Sequence, residues 1–130
     1  MRKLIIMSFI LGILCACSKK EIKPEEMALQ MAKVYYDQLL SGDYASFVDG
    51  MNFNDTVVPA YREQLITNMK MYVGQQEKEH QGIKQVIPLR AMRDTANHTV
   101  NAFLMMCYND SAKEQVVVPM VEKNGIWMMK

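Results

Sequence analysis

Residues 83–129, IKQVIPLRAMRDTANHTVNAFLMMCYNDSAKEQVVVPMVEKNGIWMM, decide the fold. Four apolar-rich runs, Ile83–Arg93, Thr99–Tyr108, Glu114–Lys123 and Ile126–Met129, are separated by clusters of turn residues, the pattern of short strands joined by tight connections. Asp94-Thr95-Ala96-Asn97 and Asn109-Asp110-Ser111-Ala112 form two of the turns. Asn124-Gly125 forms the third and is the strongest hairpin signal, because a two-residue type I′ turn needs positive φ at both central positions. The expected result is a four-stranded antiparallel meander.

Upstream the period changes from strand to helix. Pro24 suits a first helical position, Glu25 and Glu26 favour the positive end of the helix dipole, and Ala28, Met31, Ala32, Tyr35 and Leu39 recur at helical spacing. This predicts an amphipathic helix over 24–40, stopped by Ser41-Gly42. Asp43 can cap a second short helix carrying Tyr44, Phe47 and Val48, and a loop runs from Gly50 to Asp55. A third helix is expected from Pro59 to His80, with Tyr61, Leu65, Met69 and Tyr72 on one face and Gln76 to Glu79 solvated. Helices followed by an antiparallel sheet make an α+β domain, with the helices covering one sheet face.

The first residues have a different character. Arg2 and Lys3 precede an apolar run, Leu4–Leu14, that is shorter than the roughly 20 apolar residues a membrane-spanning helix needs. The run ends at Leu14-Cys15-Ala16-Cys17, followed by polar Ser18-Lys19-Lys20-Glu21. This segment resembles the signal and lipobox of bacterial lipoproteins, in which a lipid is attached to the cysteine and cleavage falls just before it. Cys15 is the weaker match, since Gly12-Ile13-Leu14 fits the pattern poorly. The resemblance implies a signal peptide over 1–16, Cys17 as the lipidated first residue of the mature chain, and a tether over 17–23 leading into a domain over 24–130. Ser18 after the cysteine implies the outer membrane as destination within the cell envelope. Several acyl chains on Cys17 would hold the protein at a membrane without a transmembrane helix.

Cysteine count and charge fit that history. With Cys15 removed and Cys17 lipidated, Cys107 is left alone, and no intramolecular disulfide can form. Its local sequence, Leu104-Met105-Met106-Cys107-Tyr108, is apolar and contains no base to activate a thiol. The net charge of +1 becomes −1 once Arg2 and Lys3 are removed, and the basic residues are dispersed. Nucleic acid is therefore not expected as a partner.

Leu40-Ser41-Gly42-Asp43-Tyr44 with Phe47, and the closing hairpin Glu122-Lys123-Asn124-Gly125-Ile126-Trp127, carry a second resemblance. The domain is similar to the NTF2-like, or cystatin-like, α+β cone superfamily, and to small lipoproteins of the domain-of-unknown-function class within it. That likeness implies a curved sheet wrapped on the long helix, with a pocket at the open end of the cone. Members use such a pocket to bind small molecules, to bind proteins or for catalysis, so function rests on the residues in it.

No recognisable catalytic set, cofactor motif or metal motif is present. Asp37, Asp43, Asp94 and Asp110 fall at helix ends, turns or exposed faces, and Tyr35, Tyr36, Tyr72 and Tyr108 have enough apolar neighbours to be core residues. His80 and His98 lack ligand spacing. The chain has thirteen methionines, and adjacent pairs on a strand, Met105 with Met106 and Met128 with Met129, must point to opposite faces. They read as adaptable core filling ahead of a soft metal site. Asp55-Thr56-Val57, Asp94-Thr95-Ala96 and Asp110-Ser111-Ala112 resemble the acceptor triplet of some bacterial periplasmic O-glycosylation systems, which marks Thr56, Thr95 and Ser111 as candidate sites. Ordinary turn chemistry accounts for the same residue types. The expectation is a non-enzymatic lipoprotein binding a small apolar molecule or an envelope protein. An enzyme of the same fold and a structural component of the envelope are the alternatives.

Overall fold

A computed structural model describes residues 22–53 and 56–130. The signal, Cys17, the tether as far as residue 21 and Asp55 lie outside the described residues.

Helix α1 spans Pro24–Leu40, with proline in its first turn. Ala28, Ala32, Tyr35 and Leu39 form one buried stripe, and the two alanines, both 0% exposed, let the helix backbone approach the sheet closely. Helix α2, Tyr44–Asp49, is capped by the Asp43 carboxylate, which accepts from the Ser46 backbone N–H at 3.2 Å. Helix α3, Pro59–His80, ends at Gln81 in a left-handed conformation.

The meander follows as β1 (Ile83–Asp94), β2 (Thr99–Tyr108), β3 (Lys113–Lys123) and β4 (Ile126–Met129), paired antiparallel in sequence order. Val100, Ala102, Leu104 and Met106 of β2 alternate onto the helix side and are almost fully buried, as are Val118 and Met120 of β3. In β1 the pairing passes from Pro88 opposite Leu104 to Arg90 opposite Phe103, leaving Leu89 unmatched. This bulge shifts the alternation by one residue and curves the strand. Proline is tolerated there because β1 is an edge strand.

Among the described residues no helix covers the opposite face of the sheet. Ile87, Met92 and Val117 remain exposed on it, and the Arg90 guanidinium lies 4.2 Å above the Phe103 ring. Among the described residues no helix is long and apolar enough to cross a membrane.

Two expectations for α3 are corrected. Tyr61 is 50% exposed and meets Phe53 edge-on, while Leu65, Ile66, Met69, Tyr72 and Val73 take the inner side. Gln76, expected in solvent, is buried. The helix packs at an angle that its weak amphipathicity does not encode, so the inner face is set by what it leans on.

Candidate functional site

Strand β4 is only four residues long and pairs with residues 120–123 of β3, so it leaves the earlier part of that edge without a strand partner. The chain after α2 runs past the end of β4. Met51 forms a parallel bridge to Met129, the Asn52 N–H donates to the Met129 carbonyl at 2.6 Å, and the Met129 N–H donates to the Gly50 carbonyl at 2.8 Å. Between this loop, α1, α2 and the β3 edge lies a cavity of 310 Å³.

Its walls are mostly apolar. Tyr36, Phe47, Met51 and Phe53 line one side, residues 117–119 of β3 the other, and Met129 and Lys130 complete it with Asn52. Tyr36 follows Tyr35 on α1 and so points away from the sheet stripe, where its ring packs edge-on against Phe47 at 5.3 Å. Burial, with the nearby Tyr72, pushes the Tyr36 phenol up to about 12, so it stays neutral at physiological pH. The Asn52 Oδ1 atom is buried and finds no hydrogen-bond partner among the described residues. Among the described residues, those lining the cavity include no Asp, Glu, His or Cys.

A polar cluster lies at the far end of β2. The Tyr108 phenol donates to Glu114 Oε1 at 2.8 Å, and the Tyr72 phenol contacts Met106 Sδ at 3.6 Å. Burial raises the Tyr108 phenol well above its ordinary value, reinforced by the hydrogen bond to Glu114. Burial likewise raises Tyr72, with the Glu114 carboxylate adding to the effect. His80 stacks on Tyr108 at 4.2 Å between ring centres and meets Asp110 at 2.9 Å. Glu114 itself is exposed and lines none of the cavity.

The candidates read from sequence fall in several places. Thr56, Thr95 and Ser111 are all exposed and do not come together. The acidic residues of two triplets hold their own turns: Asp94 accepts from the Asn97 side chain at 2.8 Å, and Asp110 accepts from the Ala112 N–H at 3.0 Å. His98 lies exposed with positive φ, whereas His80 is half-buried, stacked on Tyr108 and paired with Asp110. Cys107 is free and buried on the outer side of the sheet. Lys113 is its register partner on β3. Cys17 is outside the described residues.

The methionines divide between faces as strand geometry requires. Met106 and Met129 are buried inside, while Met105 and Met128 are half-buried outside. Met120 stands opposite Met129 in the ladder, Met51 bridges to Met129, and Met51 and Met129 line the cavity. Sequence reasoning missed Asn52, Phe53 and Lys130. Their sites lie in a loop and at a strand end, where no periodicity marks a side chain as inward.

No family model matches the chain, and neither does any curated protein. Among solved structures, the fold is similar to that of a Campylobacter jejuni protein that carries the provisional description NTF2-like transpeptidase. The TM-score is 0.61 at 13% identity, over 77% of this chain and 94% of that one. The domain therefore has an NTF2-like α+β fold, as its sequence patterns imply.

Proposed function

We propose that this chain is a lipid-anchored protein of the bacterial envelope whose cone cavity holds a small, mostly apolar molecule without transforming it. The observation that carries the reading is the 310 Å³ cavity between α1, α2 and the β3 edge. Its aromatic and thioether walls favour apolar matter, and flexible methionines adapt to its shape. Among the described residues, those lining it supply neither a nucleophilic thiol nor a carboxylate or imidazole base, which favours binding over catalysis. The transpeptidase description belongs to the Campylobacter protein, and the shared fold carries no activity across.

Lipid on Cys17 provides the membrane attachment in this reading, with the outer membrane as the destination. The short tether then keeps the cavity close to the bilayer. The exposed hydroxyls of Thr56, Thr95 and Ser111 remain candidates for O-glycosylation.

Native mass spectrometry of the full chain, purified from bacterial membranes, tests both halves of the proposal. The wild type is expected to carry diacyl or triacyl mass on its N-terminal peptide and a small-molecule adduct on the folded domain. Cys17→Ala loses the acyl mass and with it membrane association while the folded domain keeps the adduct, and Val118→Phe, which fills the cavity, loses the adduct alone. An unmodified Cys17 overturns the anchor, and a wild type without adduct after gentle extraction overturns the binding role.

A second reading, contact with another envelope protein, is favoured by the uncovered outer face carrying Ile87, Met92 and Val117. Crosslinking in membranes through a photoreactive residue at position 117 tests it, and a protein without adducts excludes it.

A further inference from the structure

We infer that the outer face of the sheet docks on an anionic phospholipid bilayer, with Ile87, Met92 and Val117 meeting the acyl boundary and Lys84, Arg90 and Lys113 meeting lipid phosphates. The inference rests on the anchored reading above and specifies how the domain lies on its membrane.

Strand register determines which side chains share this face. Val100, Ala102, Leu104 and Met106 turn to the helices, so Asn101, Phe103, Met105 and Cys107 turn away. Their direct partners turn outward with them: Met92, Arg90 and Ile87 on β1, and Val117 and Lys113 on β3. Lys123 and its partner Ile126 continue the same alternation. Ile87, Met92, Val117 and Ile126 are between 39% and 57% exposed, so apolar side chains from three strands stand in water. Covering them is the driving force for association.

Charge selects the occupant. Lys84 and Lys113 share a groove of 500 Å³ on this side with Ile87 and Cys107, and Arg90 lies over Phe103. Among the described residues, no Asp or Glu lines that groove. The carboxylates next to it in sequence, Asp110 and Glu114, are engaged by His80 and Tyr108. Asp94 is the acidic residue that register brings to the rim of this face, and it holds its own turn through Asn97. An apolar surface flanked by cations fits the boundary of an anionic bilayer, where basic heads reach phosphates while their stems lie along apolar matter.

Chain connectivity keeps such a bilayer within reach. Cys17 lies five residues before Ile22, at most about 18 Å of extended chain. Glu25, three residues further on, meets Arg93 at 3.4 Å, and Arg93 adjoins the outward-facing Met92. A lipid on Cys17 thus holds the membrane close to the rim of this face.

The test reconstitutes the full chain, purified from bacterial membranes, into vesicles of phosphatidylcholine or of its equal mixture with phosphatidylglycerol. Photoreactive p-benzoylphenylalanine replaces Ile87 on the outer face or, as the control, Gln64 on the exposed side of α3. In the mixed vesicles position 87 is expected to yield at least about fivefold more phospholipid adduct than position 64, an excess absent from phosphatidylcholine alone. Combining Lys84→Gln, Arg90→Gln and Lys113→Gln should abolish the excess while the chain still floats with the vesicles, since each cation contributes about fivefold. Added salt should reduce the excess in the chain that keeps all three cations. Equal phospholipid adducts at positions 87 and 64 in the mixed vesicles, or an excess indifferent to phosphatidylglycerol, overturn the assignment. Protein adducts at position 87, in the vesicles or in native membranes, overturn it in favour of a second copy or another protein on this face. A chain that floats with neither vesicle overturns the anchored reading as well.

Discussion

The phenol of Tyr35 donates a 2.7 Å hydrogen bond to the backbone carbonyl of Trp127, a residue 92 positions away. Helix α1 and strand β4 are thereby joined at the point where the closing hairpin meets the core. Tyr35→Phe removes the donor and leaves the geometry of the ring intact. The expected loss is about 1 kcal/mol, with a fall in Tm of about 4–8 °C on thermal denaturation followed by circular dichroism.

The same ring defines what Gly50 must be. A Cβ at position 50 would run into the Tyr35 ring, so glycine is required there by close approach, with its φ of −81° in an ordinary helical region. Gly50→Ala is expected to cost about 1–3 kcal/mol in urea unfolding. In a Tyr35→Leu background the alanine should cost less, because the colliding ring is gone. Equal costs in both backgrounds would remove the ring contact as the cause.

Gly125 is required for a different reason. It sits at φ +82° beside Asn124 at φ +53°, the pair of left-handed residues that a type I′ hairpin needs, and nothing lies near its missing Cβ. Gly125→Ala should therefore cost only the backbone term of about 1–2 kcal/mol. Gly125→Asn should cost less, since asparagine tolerates this region.

Alkaline pH probes the buried phenol of the cavity. The Tyr36 hydroxyl is raised from 10.0 to about 12 by burial, so the folded state favours its neutral form. The stability it contributes is complete below pH 10 and declines as pH rises from the unfolded value toward the folded one. Chemical denaturation as a function of pH should show that decline in the wild type and a smaller one in Tyr36→Phe. Phenolate absorbance should likewise show one late-titrating tyrosine lost in the variant.

Cys107 is 6% exposed and sits under the outer rim of β2. A thiol reagent such as 5,5′-dithiobis(2-nitrobenzoate) should label it slowly in the native domain and rapidly in denaturant. Fast native labelling would contradict its burial.

Sequence alone determined the order and kind of the elements, because each is governed by local physics. Helical spacing of Ala28, Ala32, Tyr35 and Leu39, proline at the start of α1 and α3, the Asp43 cap and the Asn124-Gly125 turn all act within a few residues of themselves. The meander follows from short turns joining successive strands, since such connections leave consecutive strands as neighbours. The cavity was decided by tertiary structure. It exists because β4 is shorter than β3 and because the loop through Asn52 is drawn against Met129, and neither fact has a periodic signature. The Tyr108–Glu114 bond, the stacking of His80 on Tyr108 and the burial of Gln76 likewise depend on how α3 lies against the sheet. A helix with little amphipathic contrast leaves that orientation to long-range packing, which no local window of sequence contains.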